Sequence, residues 1–433
     1  MTPPTAPEWQ PQPVGIFPFP ASHLLLPQVE GKQGSDVECK QALESLMEGD
    51  LQIPLPESWK FFQLAAEGDV EGARRLVQSS ACEGTDNARI AAYNQFVLAP
   101  DRNRYEPLKT EFQGALAELL DVAAFAVGLM DSVPDTFSLE GELGALAWST
   151  AAAAELERGD ERGALRKLKQ AVSLARDTSP IQAALILAQI SDVGSSSGEM
   201  APAIVIQGYQ EAIRLAANCK LPRLVAELHM RLGMAYHHAA DGRREMLLQA
   251  VASYQAALQT GVTETSEPDL FGQLQNNLGM AYMAMPTVEA SHQLRTGIAI
   301  QSFRHALKVY DIQRQPDRWA CVSMNLANAL QYAPTSHPEE NLIQAVEIYE
   351  QVLQVRTRAK DPVAYALVQM NQANALAHLG MFRPALEKLA EAHKLFHWYD
   401  EIEHAKAARE LVEQINQHRD QMRKQGLTEE TIF

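Results

Sequence analysis

LHMRLGMAY (residues 228–236) returns three times in altered form: LQNNLGMAY from Leu274, VSMNLANAL from Val322 and VQMNQANAL from Val368. The steps are 46, 48 and 46 residues, and a near-constant period of this size marks a stack of supersecondary units. Each copy is followed by a second phrase: AVASYQAAL from Ala250, AIQSFRHAL from Ala299, AVEIYEQVL from Ala345 and ALEKLAEAH from Ala385. Apolar residues recur three and four apart in both, as in Leu228, Leu232 and Tyr236 or Val346, Tyr349 and Leu353. That spacing lays an apolar stripe along a helix, so the unit is a pair of helices. Small residues stand where the two helices must approach closely: Gly233, Gly279, Ala327 and Ala373 on the first, and the four leading alanines on the second.

The pattern resembles the tetratricopeptide repeat (TPR), whose first helix carries a Leu-Gly-x-x-Tyr core and whose second carries Ala, an aromatic and Ala. Leu232-Gly233-Met234-Ala235-Tyr236 and Leu278-Gly279-Met280-Ala281-Tyr282 match it directly, while the third and fourth copies replace Gly by Ala and Tyr by Leu. The resemblance implies an all-α fold, a right-handed superhelical array of antiparallel helix pairs (a TPR-like solenoid). An ordinary TPR period is about 34 residues. Insertions such as ADGRREMLLQ and PTSHPEENLIQ are expected to account for the excess, through a longer second helix or an ordered loop. A HEAT-type array fits the period better, but not the Gly/Ala positions.

The same grammar runs upstream in weaker form. Gly68-Asp69 with Ala73 and Gly159-Asp160 with Ala164 each suggest a turn followed by a close-packed helix, and another pair is expected from Pro180 to Ala217, split by the Gly194–Gly198 loop. About seven pairs result if Leu108–Met130 supplies one. The expected organisation is a proline-rich extended or disordered arm (1–56), an N-terminal helical region with a degenerate repeat (57–140), the array (141–398), and a C-terminal capping helix and tail (399–433). The arm holds 10 of the chain's 23 prolines, which favours extended backbone, and its VGIFPFP segment offers Phe17 and Phe19 as docking side chains.

The 433 residues carry a formal net charge of −17, which argues against nucleic acid, since neutralising phosphates needs a concentrated basic face. Cys39, Cys82, Cys219 and Cys321 are far apart and suggest neither a metal knuckle nor a disulfide framework. No membrane span and no signal peptide are legible, so a cytoplasmic protein is expected. No cofactor is expected, and the oligomeric state stays open.

In TPR proteins the first helices line the concave surface, and positions one before and two after the core Leu point into it. By that resemblance the partner-binding residues here are Arg231 and Met234, Asn277 and Met280, Asn325 and Asn328, then Asn371 and Asn374. Asn is a poor interior helix former because its side chain competes for backbone hydrogen bonds, so several at matching offsets call for a reason. One reason is binding the main chain of an extended peptide; the other is bonding between neighbouring helices. The Lys of a chaperone-tail carboxylate clamp is missing, its positions being Met230, Asn276, Met324 and Met370.

Catalytic signals are sparse. Gly194-Ser-Ser-Ser-Gly198 satisfies G-x-S-x-G, yet both flanks read helical where a nucleophile elbow joins strand to helix. His393 and His397, with Glu401 and His404 beyond, have metal-ligand spacing on one helix, but the repeat phasing places a turn near Trp398–Asp400. The sequence therefore points to a non-enzymatic scaffold or adaptor binding a protein or extended peptide client. Its resemblance to bacterial TPR proteins extends to those serving complex assembly, including near redox metalloenzymes such as hydrogenases. The alternatives are a metal-binding or enzymatic accessory protein using the His-rich C-terminal repeats, and a peptide-responsive regulatory sensor.

Overall fold

The structure, a computed structural model, describes residues 54–66, 68–79, 86–132, 137–286, 289–334 and 338–424, with Leu25, Leu26 and four positions between 38 and 45. Phe17, Phe19, Cys39, Cys82 and the tail after Lys424 lie outside the described residues. All the regular structure within them is helical. Packing divides the chain into two units, Met1–Leu232 and Gly233–Phe433.

In the first unit a short 3-10 turn, Glu57–Trp59, leads into α1 (Lys60–Ala66), which packs on α2 (Val70–Ser79). Then come α3 (Asp86–Leu98), α4 (Arg102–Glu111) and α5 (Ala115–Ala126), followed by two regular pairs, α6 (Gly141–Glu157) with α7 (Glu161–Ala175) and α8 (Pro180–Ser196) with α9 (Pro202–Leu215). The Leu108–Met130 stretch comprises the end of α4 and all of α5, which pack on each other. Its interior is partly polar: Asp121 of α5 is nearly buried, accepts a hydrogen bond from the Tyr105 hydroxyl at 2.9 Å and pairs with Lys109. Burial, then that bond, push the Tyr105 phenol up to about 12.

The two Gly-Asp turns do as their residues dictate. Gly68 and Gly159 adopt φ of +86° and +78°, a left-handed conformation that costs glycine no Cβ clash. Asp160 N–H then reaches back to the Glu155 carbonyl at 2.9 Å and Gly159 N–H to Leu156 at 3.0 Å, the paired bonds of a Schellman C-cap. The aspartates cap the following helices, accepting from Gly72 N–H at 2.9 Å and Gly163 N–H at 2.8 Å.

α10 (Pro222–His238) carries the first strong phrase, and the boundary between the units falls within it. It is followed by α11 (Arg244–Gln259), α12 (Pro268–Ala284), α13 (Glu289–Ala306), α14 (Pro316–Gln331), α15 (Pro338–Val355), α16 (Pro362–His378) and α17 (Phe382–Trp398), ending in α18 (Ile402–Lys424). The fold is a run of TPR-type helix pairs. The predicted close approach is explicit in the glycines. A Cβ on Gly233 would meet the Tyr254 ring at 2.5 Å, and one on Gly279 would meet the Phe303 ring at 2.6 Å. Tyr254, Phe303 and Tyr349 are all buried, as are Ala327 and Ala373 at the matching first-helix positions.

The insertions do lengthen the second helices, REMLLQ opening α11 and PEENLIQ opening α15, but they are not the whole source of the long period. Helices α10 to α17 are all 16–18 residues long, so first and second helices share the excess. Each first helix starts on a proline six residues before its phrase, at Pro222, Pro268, Pro316 and Pro362. Proline suits this place because its φ is already helical and the missing N–H would have no intrahelical partner. The repeats are also joined side to side. Tyr310, after α13, lies against Gly272 of α12, donates to the Asp269 carbonyl at 3.0 Å and sits under the Arg318 guanidinium of α14, 5.7 Å from its ring centre.

At the end of the array α17 stops where the phasing predicted, with Asp400 at φ +56° and Glu401 N–H bonded to the Phe396 carbonyl at 2.8 Å. α18 buries Ala408 and Ile415 against a cluster that holds Phe382, Leu389 and Phe396, as a cap must.

Four outcomes follow for thermal and denaturant unfolding. Gly279→Leu should destabilise by about 1–3 kcal/mol through overpacking against Phe303, whereas Gly297→Ala, in open space on α13, should stabilise by up to about 1 kcal/mol. Asp400→Gly should stabilise by about 0.5–1 kcal/mol, because it relieves a left-handed Cβ. His229, His237 and His378 are held below their ordinary 6.5 by burial, with His238 adding at the second and His418 at the third. Just below that pH the unfolded chain therefore binds more protons than the folded one. Stability should be full above pH 6.5 and fall as pH drops through 6.5 toward the depressed folded values; urea midpoints at pH 7.5 and 5.5 should show the loss, reduced in His229→Gln.

Candidate binding face of the first helices

Within the second unit the first helices touch in succession, α12 with α14, α14 with α16, and α16 with the cap α18. They make a continuous wall, and the asparagines predicted from the phrase lie along it, each half-buried. Asn325 Nδ2 donates to Asn276 Oδ1 at 2.9 Å, bridging α14 to α12, and Asn276 Nδ2 lies 3.5 Å from Met280 Sδ. Asn374 Nδ2 on α16 donates at 2.9 Å to the hydroxyl of Tyr332, just past the end of α14. Asn328 Oδ1 accepts from the Tyr349 hydroxyl at 2.5 Å. Among the described residues the side chains of Asn277 and Asn371 have no hydrogen-bond partner.

Each amide has two donor hydrogens and an acceptor oxygen, so these bonds use only part of what the wall offers. Asn325, Asn328 and Asn374 bond within the protein, while Asn277 and Asn371 are half-buried with no side-chain partner among the described residues. Asn276 and Tyr332 are members that the phrase alone did not mark. The Asn276-Asn277 doublet inside an apolar helix was the available signal for one of them. For Tyr332, exposed over 54% of its surface, the signal was an aromatic beyond the helix end with no place in the apolar stripe.

The methionines divide by position. Met280 on α12 and Met234 on α10 are each 40% exposed, whereas Met324 and Met370 pack partly buried against the core clusters. Arg231, in the first unit, is already engaged: its Nη1 donates to Asp192 Oδ2 at 2.6 Å, and the Tyr209 hydroxyl donates to the same carboxylate. Burial first and then Asp192 raise the Tyr209 phenol, with Arg231 opposing. Both ion-pair partners are more than one-third exposed, so the pair contributes little to stability but fixes where the guanidinium points.

The other candidate chemistry is not assembled. α8 continues through Ser196, and the Ser196 and Ser197 hydroxyls donate to the Val193 carbonyl at 3.2 and 2.7 Å. The G-x-S-x-G segment is thus a helix C-terminus, with Gly194 packed on Met200, rather than a separate loop. His397 is exposed on the last turn of α17, while His404 belongs to α18, where it stacks on Phe396 at 5.3 Å and sits 3.0 Å from Glu401 Oε2. Among the described residues no group of three or more His, Cys, Asp or Glu side chains is arranged to hold a metal ion, and no helix is long and apolar enough to cross a membrane.

No protein-family model and no curated protein sequence matches the chain. Among solved structures it is similar to the apo form of RapI, at 12% identity over 86% of this chain and 98% of that one, with a TM-score of 0.49. It is similar to YrrB, described as a TPR protein with an unusual peptide-binding site, at 18% identity over 52% and 92% of the two chains, TM-score 0.34. A third likeness is to the apo form of the quorum sensor NprR from B. thuringiensis, at 12% identity over 83% and 97%, TM-score 0.41.

Proposed function

We propose that the chain is a non-enzymatic scaffold or adaptor, and that the wall of α12, α14 and α16 takes up an extended segment of a protein or peptide client. The observation that carries this reading is the pair Asn277 and Asn371, half-buried amides on one wall with no partner of their own. Mid-helix asparagine is unfavourable unless its amide is used, and these two are kept where the neighbouring asparagines are spent on packing. An array of such amides bonds the N–H and C=O groups of an extended chain without selecting its side chains. Met280 adds adaptable apolar contact on the same helix as Asn277. The acidic excess of the chain favours neutral or basic clients over acidic ones. Holding one client while other surfaces engage a second protein suits a part in assembling or regulating a multiprotein complex.

Asn325, Asn328 and Asn374 also bond within the protein, so their removal mixes packing with binding. The sharper variant is Asn277→Ala with Asn371→Ala. Its circular dichroism and melting temperature should match the wild type. A client captured stoichiometrically from the native host should bind it about tenfold more weakly, as expected for losing a few hydrogen bonds of ordinary strength. Unchanged client affinity in this folded variant would remove the wall from the binding site.

A further inference from the structure

In the first unit an asparagine inside a helix is fully buried, with both its amide oxygen and its amide nitrogen bonded. Asn94 lies in α3 with none of its surface exposed, as do Leu25 and Leu26. Asn94 Oδ1 accepts the Leu26 N–H at 2.8 Å, and Asn94 Nδ2 donates to the Leu26 carbonyl at 2.8 Å. The side-chain amide pairs with the Leu26 peptide groups as a neighbouring strand would. The two leucines belong to the same buried cluster as Trp59, Phe61, Tyr93 and Phe96.

This is the way a protein holds an extended peptide: main-chain hydrogen bonds fix the backbone, and apolar pockets take the side chains. Leu25 and Leu26 lie outside any helix, so their backbone groups have no intrahelical partners, and burying them unpaired is costly. Asn94 removes that cost at Leu26. Pro27 follows directly, and a residue before proline is already biased toward extended backbone. The segment is thus prepared for such a site by sequence, 68 residues from the amide that receives it.

We propose that α1 to α3 form a receptor site for an extended di-leucine segment, occupied in cis by Leu25–Leu26 as a displaceable ligand. The site selects two adjacent large aliphatic residues, the second with both a free N–H and a free carbonyl, and it rejects proline at that second place. It is independent of the first-helix wall in the second unit.

The test uses the whole chain with a protease site inserted between Gly34 and Ser35 and cut after folding. A fluorescent peptide of residues 21–30 is then added, and its exchange for the cleaved arm is followed by anisotropy. Saturable one-to-one exchange is expected. A peptide N-methylated at Leu26, which keeps both leucine side chains but loses the N–H, should bind at least about tenfold more weakly, since a buried acceptor is left unpaired. Asn94→Ala in the cut protein should weaken the unmodified peptide similarly, and the N-methyl comparison decides the matter if that variant does not fold. An arm that neither leaves nor exchanges would make Leu25–Leu26 fixed core and overturn the proposal, and so would equal affinity for the N-methylated peptide.

Discussion

A first helix of the second unit lies directly against an aromatic ring on its partner, and the rest of the repeat is arranged around that contact. With Gly233 against Tyr254 and Gly279 against Phe303, there is no room for even one carbon atom without movement. Where the small residue is Ala327 or Ala373, the position is again fully buried. Such contacts set the spacing of each pair and leave the outer side of the first helix free to meet the next first helix. In the third copy the contact reaches the face itself. Tyr349 is buried to 0% exposure, and its hydroxyl bonds the half-buried Asn328. Packing and the wall of first helices are one network there, so a change at Tyr349 is felt at the wall.

What was legible in the sequence was what repeats. The four phrases gave the helix pairs, the small residues gave the close contacts, and the Gly-Asp doublets gave turns with the backbone bonds expected of them. The turn after Trp398 followed from phasing alone. The regular prolines opening α10, α12, α14 and α16 were equally periodic, but their meaning depends on helix length. The insertions marked the longer second helices, but not that the first helices are equally long.

What was not legible depends on contacts between units of the repeat. Asn325 meets Asn276, Asn374 meets Tyr332, and Arg231 meets Asp192 across 49, 42 and 39 residues. Which side chains face one another at those distances is set by the register of one pair on the next, and a single phrase carries no record of it. Likewise α3 to α5 follow no repeat, so a buried Asp121 paired with Lys109 and Tyr105 had no pattern to announce it.

Asparagine within a helix is the signal common to both proposed sites, and its state separates them. A half-buried amide can exchange one partner for water at little cost, so in the proposed site Asn277 and Asn371 stand open until a client arrives. A fully buried amide cannot, because each unpaired edge would forfeit its hydration without return. Asn94 must therefore be filled whenever the first unit is folded, and Leu26 of the same chain fills it. As proposed, an open face and a site always occupied answer to different kinds of ligand: the first to whatever extended segment is available, the second only to one that replaces the resident leucines bond for bond.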